Sequence, residues 1–499
     1  MIITLPTVIA NRRPPVSGGI ALLPHTSVFF STTDPQLQKL YDTACRKCLL
    51  NLQSFGKDTV LVEGGGYEKI WLETQPMGGE MYAKRNMEAA LNNHLLFMRT
   101  QRKDGRLAGS IQCLRDGSIE PQFNKFQGFC FPWSGLNMYY WLGCNSAYLD
   151  ELALTLERFD SYLWHVRDSN GDGCLESWCV YDTGEDNAVR YGDSPVYATA
   201  DTPPEGFSVV PMASMDIMSF SYACRDTLAE ISRIRQDGQE ECWRSAARSV
   251  AQALKDHLWD EERGACFDRD KSGNVIPVLV HNSLRCMYWG SFSQEMADRF
   301  VQEHLLNPSE FWTFLPLPSV AANDPAFRNA PENNWSGQCE GLTYQRALLA
   351  LERYGYEPVV TRLGHKLLDA LIRGGCVFTQ QFDPFTGEPS RVSPVTKAPL
   401  PPDSTEPFQD AYGPTLLAAL EYIAHIWGVT LNRDEIWFSL GSGLRYTYEQ
   451  QWMDHRYRIE SDGREATVWV NDVPMHHSVC GVRLITDVHG KLLKTRNIE

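Results

Sequence analysis

Apolar residues recur at helical spacing through about 400 residues of this chain, and that periodicity leaves few folds open to it. Ala247, Val250, Ala251, Leu254 and Leu258 fall on one helical face. So do Tyr344, Ala347, Leu348 and Leu351, and again Leu416, Ala419, Leu420, Ile423 and Trp427. Each stripe needs a partner surface to bury it. Asp34-Pro35 reads as the first helix start, a capping carboxylate ahead of a proline that needs no hydrogen bond. Between the helical stretches lie long loops rich in Gly, Pro, Trp and acids, at 62–80, 103–133, 168–210, 306–341 and 376–414. Loops this long in a compact domain are usually functional. The pattern predicts a helical barrel whose loops gather at one end.

The period changes near residue 430. "YRIESDGREATVWVNDVPM" holds Asp462-Gly463 between alternating apolar runs, a hairpin signal, and "VRLITDVHGKLLKT" reads as a second hairpin. Residues 1–33 are rich in Pro and β-branched residues and read as extended. The expected plan is an extended segment over 1–33, a helical body over 34–430 and a small β appendage over 431–499.

A formal net charge of −16 argues against nucleic acid or an anionic membrane as the main partner. No window approaches the roughly 20 apolar residues that span a bilayer. In "MIITLPTVIANRR" the basic residues follow the apolar run, the reverse of secretory order. The 14 cysteines sit mostly in apolar helical segments and read as reduced, which points to the cytoplasm. Cys45 and Cys48 form the one C-x-x-C, with no second pair to complete a metal site. The 14 Trp, 20 Tyr and 22 Phe suit a large core or a carbohydrate cleft.

One stretch concentrates polar chemistry: "YDTGEDNAVRYGDSP", Tyr181–Pro195, with Asp182, Glu185, Asp186, Asp193 and Arg190. Alone it reads as a solvated acidic loop. Just before it, Asp168, Asn170 and Asp172 alternate as at the start of a calcium loop. Cys179 stands where the twelfth-position Glu belongs, so a tight turn is the reading and a structural calcium the alternative. No other cofactor is expected.

Five motifs in chain order resemble the six-hairpin glycosidases, nearest to trehalase and to the family of processing α-glucosidase I and mannosylglycerate hydrolase. "EGGGYEKIWLETQPMGGEMY" is similar to trehalase's opening motif, with Trp71 and Glu73 in the Trp and acid positions. "DTGEDNAVRY" is similar to Ser-Gly-x-Asp-x-Ser-x-Arg-Trp, placing Gly184, Asp186 and Arg190. "LWDEERGACFDRD" looks like the family's Leu-Trp hairpin, and "NNWSGQCEGLTYQRALLALERYG" its Trp-x-Gly segment and following helix. "TEPFQDAYGPT" resembles Gly-Glu-Tyr-x-x-Gln-x-Gly-Phe-Gly, with Glu406 and Gln409 as the Glu and Gln. The resemblance covers about residues 60–427. It implies an (α/α)6 barrel and exo-acting hydrolysis of a small, α-linked glycoside with inversion. It also implies Asp186 as general acid and Arg190 as sugar-binding arginine.

Such chemistry needs one carboxylic acid held protonated for the leaving oxygen and a second carboxylate to activate water. The two stand about 6.5–9.5 Å apart for inversion and about 5–5.5 Å for retention. Crowding of Asp182, Glu185, Asp186 and Asp193 is expected to raise one of their pKa values. Trp71, Trp133 and Trp335 offer apolar faces to sugar C–H groups or belong to the core; Glu73, Glu340, Gln380 and Gln409 offer hydrogen bonds, and Arg190 can orient a sugar hydroxyl or hold a neighbouring carboxylate. One departure matters. The family's catalytic base is the Glu of Glu-x-aromatic-Asp/Asn-x-x-x-Gly, and here "QQFDPFTGE" puts Gln380 at that place. An amide cannot take a proton from water. Glu406 is the first substitute by motif position, then Glu340, then Glu388. A rhamnosidase-like hydrolase, a phosphorylase or lyase on the same barrel, and a non-catalytic sugar-binding relative remain alternatives.

Overall fold

The computed structural model describes residues 23–124, 127–401 and 403–499, so the extended reading of residues 1–22 lies outside the described residues. The helices are α1 (Pro35–Leu50), α2 (Gln75–Tyr82), α3 (Met87–Arg99), α4 (Pro132–Trp141), α5 (Ser146–Val166) and α6 (Met215–Arg235). They continue with α7 (Glu240–Leu258), α8 (Ser283–Trp289), α9 (Gln294–Phe300), α10 (Gly341–Arg353), α11 (Glu357–Arg373) and α12 (Gly413–Trp427). The even-numbered helices touch in sequence, α2 to α4, α6, α8, α10 and α12, and α12 returns to α2. Outside this closed ring, α3 packs on α2, α5 on α4 and α6, α7 on α6, α11 on α10 and α12, and α1 on α12.

The two layers read differently in sequence because they meet different surroundings. Outer α7 buries one stripe, Trp243, Ala247, Val250, Leu254 and Leu258, and leaves the rest wet. Inner α12 is buried on every side, from Gly413 to Trp427. The expected cap forms: Asp34 accepts hydrogen bonds from the Gln36 and Leu37 amides, with Pro35 opening α1. No helix among the described residues is long and apolar enough to cross a membrane.

The tail is more than an appendage. After α12 come β2 (Val429–Asn432), β3 (Glu435–Leu440), β4 (Tyr446–Trp452) and β5 (His455–Ser461), with β1 (Thr26–Thr32) far upstream. Then follow β6 (Glu465–Val470), β7 (Val473–Val479), β8 (Val482–Thr486) and β9 (Leu492–Asn497). One antiparallel sheet runs β1-β4-β5-β6-β7 and the other β2-β3-β8-β9. Both expected hairpins form: Asp462-Gly463 turns β5 into β6, and β8 pairs with β9. β1 pairs along its whole length with β4, from Thr26 opposite Trp452 to Thr32 opposite Tyr446, so the chain's first described strand belongs to the last unit. Arg483 on β8, 1% exposed, ties the sheet to the helices. It pairs with Glu352 of α10 at 2.6 Å and donates to the His425 carbonyl of α12 at 2.9 Å.

Candidate active site

The loops that enter the inner helices converge at one end of the ring. Glu73 lies two residues before α2, Glu340 caps α10, Tyr412 precedes α12, and the loop carrying Asp186 leads toward α6. Helix amino ends carry unpaired N–H groups and partial positive charge, so carboxylates are favoured there. Glu340 uses this directly: its Oε2 accepts the Leu342 N–H at 2.6 Å.

Four carboxylates from distant parts of the chain act on one another at this end: Glu63, Glu73, Asp186 and Glu340. Burial, opposed by Arg346 at 3.7 Å and reinforced by the charges of Asp186 and Glu340, pushes Glu73 up to about 8. Burial also pushes Glu340 up to about 7, against the Leu342 amide. Glu63 is raised well above the carboxylate range, by burial first and by the charge of Glu73 next. The Tyr412 hydroxyl donates to Glu63 at 2.9 Å. Asp186 is exposed, so it forms the solvent-facing side of a cluster in which Glu63 and Glu340 are buried and Glu73 is partly buried. At neutral pH such a cluster holds both protonated and ionised carboxyls, the condition for acid and base work at one place. Beside it Trp71 stacks on Tyr181 at 6.2 Å between centroids, and Tyr181 on Tyr197 at 4.7 Å.

The acid loop is held by its sequence neighbours rather than crowded by them. Asp182 pairs with Arg167 and accepts the Trp178 amide. Asp193 caps Ser208 at the surface. Burial opposes ionisation of Glu185, but Arg190 and Arg285 outweigh it and hold its carboxyl well below the usual range. Glu185 and Asp193 are thus lowered by their surroundings and not raised by one another, and the acids that act with Asp186 come from residues 63, 73 and 340. For Arg190 the sugar-binding role is corrected, and the other reading, a hold on a neighbouring carboxylate, is the one that forms. Arg190 is 3% exposed and bonded to Glu185, Asp216 and Asp268, so its guanidinium is committed to the protein and cannot reach a sugar. Its effect is to tie the acid loop to α6 and to the hairpin carrying Asp268. Trp335, 3% exposed, lies under the same loop against His281 and Arg285. Its amide donates to the Asn187 side chain, and Ser336 accepts from the Val189 amide. Gly184 has φ +72°, and a Cβ there would stand 1.8 Å from Glu73 Oε2, which is why the loop can lie on Glu73 at all.

Gln380 and Gln409 join the cluster from the far loop. The Gln380 Oε1 accepts the Tyr67 hydroxyl at 3.0 Å and the Gln409 amide at 3.5 Å. Gln409, fully buried, also donates to the Gly65 carbonyl. Glu406 and Glu388 are exposed and no charge of either ranks among the principal influences on Glu63, Glu73 or Glu340. In this conformation Glu406 is a surface residue, not the cluster's second acid. Trp133 is placed elsewhere too. It lines a cavity of about 400 Å³ at the other end of α2, α10 and α12, with Glu80, Glu352, Glu421 and Trp437. Arg353 and Arg433 lie over its ring at 3.7 and 4.9 Å.

Sequence reasoning did not single out Glu63, Tyr67, Tyr412, Arg285 or Arg346. The signal for the first two was the run Gly64-Gly65-Gly66. All three have positive φ, and a Cβ on Gly66 would meet the Pro394 carbonyl at 2.1 Å, so this run brings the first loop against the last. Asp168, Asn170 and Asp172 spend their side chains on the amides of their own turn. Among the described residues no three His, Cys, Asp or Glu side chains gather to hold a metal.

The profile of the family described as "Mannosylglycerate hydrolase MGH1-like glycoside hydrolase domain" matches residues 81–398. The mannosylglycerate hydrolase of Rubrobacter radiotolerans is 29% identical over 181 residues, 36% of this chain and 40% of that protein. The chain therefore matches well under two thirds of that relative's length. Among solved structures, the GH63 mannosylglycerate hydrolase of Thermus thermophilus superposes with a TM-score of 0.59 at 17% identity, over 77% of this chain and 100% of that one. The neutral trehalase of Saccharomyces cerevisiae superposes at 0.51 and 13%, over 74% and 73%. These likenesses agree with a helical ring that presents its loops at one end. The chain belongs to the mannosylglycerate hydrolase MGH1-like family of glycoside hydrolases.

Proposed function

We propose that this protein is an exo-acting glycoside hydrolase that cleaves a small, α-linked glycoside with inversion, on an (α/α)6 barrel formed by the closed helix ring. The observation that carries the reading is the meeting of Asp186 with Glu63, Glu73 and Glu340, from three separate loops, at the amino ends of the inner helices. Asp186 stands at the mouth and gives its proton to the leaving oxygen. Glu73, one of the two acids nearest neutral, holds a sugar hydroxyl beneath it, with Arg346 fixing its carboxylate. Trp71 and Tyr181 supply an apolar wall for the sugar ring. Two buried acids and a partly buried one behind one exposed acid make a dead end, which suits a terminal sugar and not the middle of a polymer.

The test is turnover of a panel of aryl α-glycosides by the wild type and by Asp186→Asn. The panel contains a substrate that the wild type hydrolyses, and the variant, still folded by circular dichroism, loses at least about 10²-fold in kcat/KM on it, the worth of general acid catalysis. Turnover that survives in Asp186→Asn would sink the reading. Binding without turnover across the panel favours a sugar-binding protein instead.

A further inference from the structure

We propose that Glu340 is the general base, a carboxylate moved one strand across from the position that Gln380 has vacated. The inference rests on the glycosidase reading above. Cys339–Glu340 and Gln381–Phe382 form a two-stranded antiparallel ladder, Glu340 opposite Gln381, and the Gly341 amide donates to the Gln380 carbonyl at 3.0 Å. The backbones at 340 and 380 therefore run side by side though forty residues apart in sequence, and Tyr67, whose hydroxyl donates to Gln380, also feels the charge of Glu340. The place left by the missing acid still looks built for one. The Tyr67 hydroxyl and the Gln409 amide both donate toward Gln380 Oε1.

Glu340 has the features a base needs. Its side chain is fully buried, and the Leu342 amide fixes Oε2. Oε1 is equally buried, and the hydroxyl nearest it, that of Tyr412, gives its proton to Glu63. A buried, unpartnered carboxylate oxygen is costly to keep, and a substrate water would supply the donor it lacks. The other acids are less suited. Glu63 already accepts from Tyr412, and burial together with the charge of Glu73 raises it well above the usual carboxylate range. Glu73 lies beneath Gly184, two residues from Asp186, and so on the side of the acid. Glu340 stands with Gln380, on the other loop. Charge and bonds balance simply. The water oxygen bonds to the anomeric carbon as the glycosidic C–O bond breaks, Glu340 takes the water proton, and Asp186 protonates the leaving oxygen.

Glycosyl fluorides separate the two roles, because fluoride departs without an acid while water still needs a base. The measurement is fluoride release from a panel of α- and β-glycosyl fluorides by the wild type, Glu340→Gln, the double variant Glu340→Gln/Gln380→Glu, and Asp186→Asn. Glu340→Gln is expected to lose at least about 10²-fold in kcat. The double variant, with a carboxylate back at 380, recovers at least tenfold of that loss. The wild-type rate rises with pH through about 7 as Glu340 ionises, and that limb is absent in Glu340→Gln. Asp186→Asn loses less on fluorides than on aryl glycosides. A Glu340→Gln rate within threefold of wild type overturns this assignment and leaves the glycosidase reading standing. A double variant no better than Glu340→Gln makes the loss structural and overturns it as well. Release of fluoride from no member of the panel by the wild type overturns the glycosidase reading, and this assignment with it.

Discussion

At the scale of single residues, the site depends on contacts that adjacency in sequence hides. Gly184 illustrates this. Its φ of +72° lies in the left-handed region, which costs an ordinary residue about 1–2 kcal/mol, and a side chain there would collide with Glu73. Gly184→Ala should therefore shift Asp186 and Glu73 apart and lower kcat/KM by about 10²-fold, the scale expected for a misplacement near 1 Å. Steady-state kinetics beside a melting curve check it: a variant with wild-type kcat/KM would show that the loop tolerates the change. The sequence singled out Asp186 and Glu73 because each sits in an ordered motif, and the structure brings the two together. For Arg190 the role of holding a neighbouring carboxylate was legible, at Glu185, whereas its remote partners Asp216 and Asp268 were not, because a motif cannot show that an arginine is already spent on buried acids. Trp133 was misread for a similar reason: which end of a helix ring a tryptophan faces depends on the rotation of α4, and periodicity does not report that.

At the scale of elements, the helices were legible and their pairing partly so. The period of 3.6 in α7, α10 and α12 follows from burial of one face or more, and it survives in the sequence whatever the tertiary neighbours are. The pairing of β1 with β4 does not, because its two strands lie more than four hundred residues apart and any extended segment could serve. The junction of β8 with the ring rests on a buried ion network. Burial works against Glu352, yet Arg483 and His425 hold its carboxyl down to about 2. Arg483→Met would leave that carboxylate buried with only His425, and removing one partner of a buried pair costs about 3–5 kcal/mol. The midpoint of denaturant unfolding should fall accordingly. No change in the midpoint would mean that the sheet and the ring do not share this network.

At the scale of the whole molecule, two ends of one ring have different characters. The loop end carries four acids and a stacked aromatic wall. The other end holds a cavity of about 400 Å³ whose Trp133 is already covered by two arginines. Loop length and composition pointed to a functional end. They did not show which acids meet there, because the four come from three loops, Glu63 and Glu73 from the same one, and only closure of the ring brings the three together. The most direct measurement is a crystal structure of Asp186→Asn with an uncleaved α-glycoside bound. The sugar should lie against Trp71 and Tyr181, its glycosidic oxygen beside residue 186, with Glu340 facing the anomeric carbon from the opposite side at about 6.5–9.5 Å from the substituted carboxyl. A sugar seated instead in the Trp133 cavity, with the loop end empty, would contradict the account.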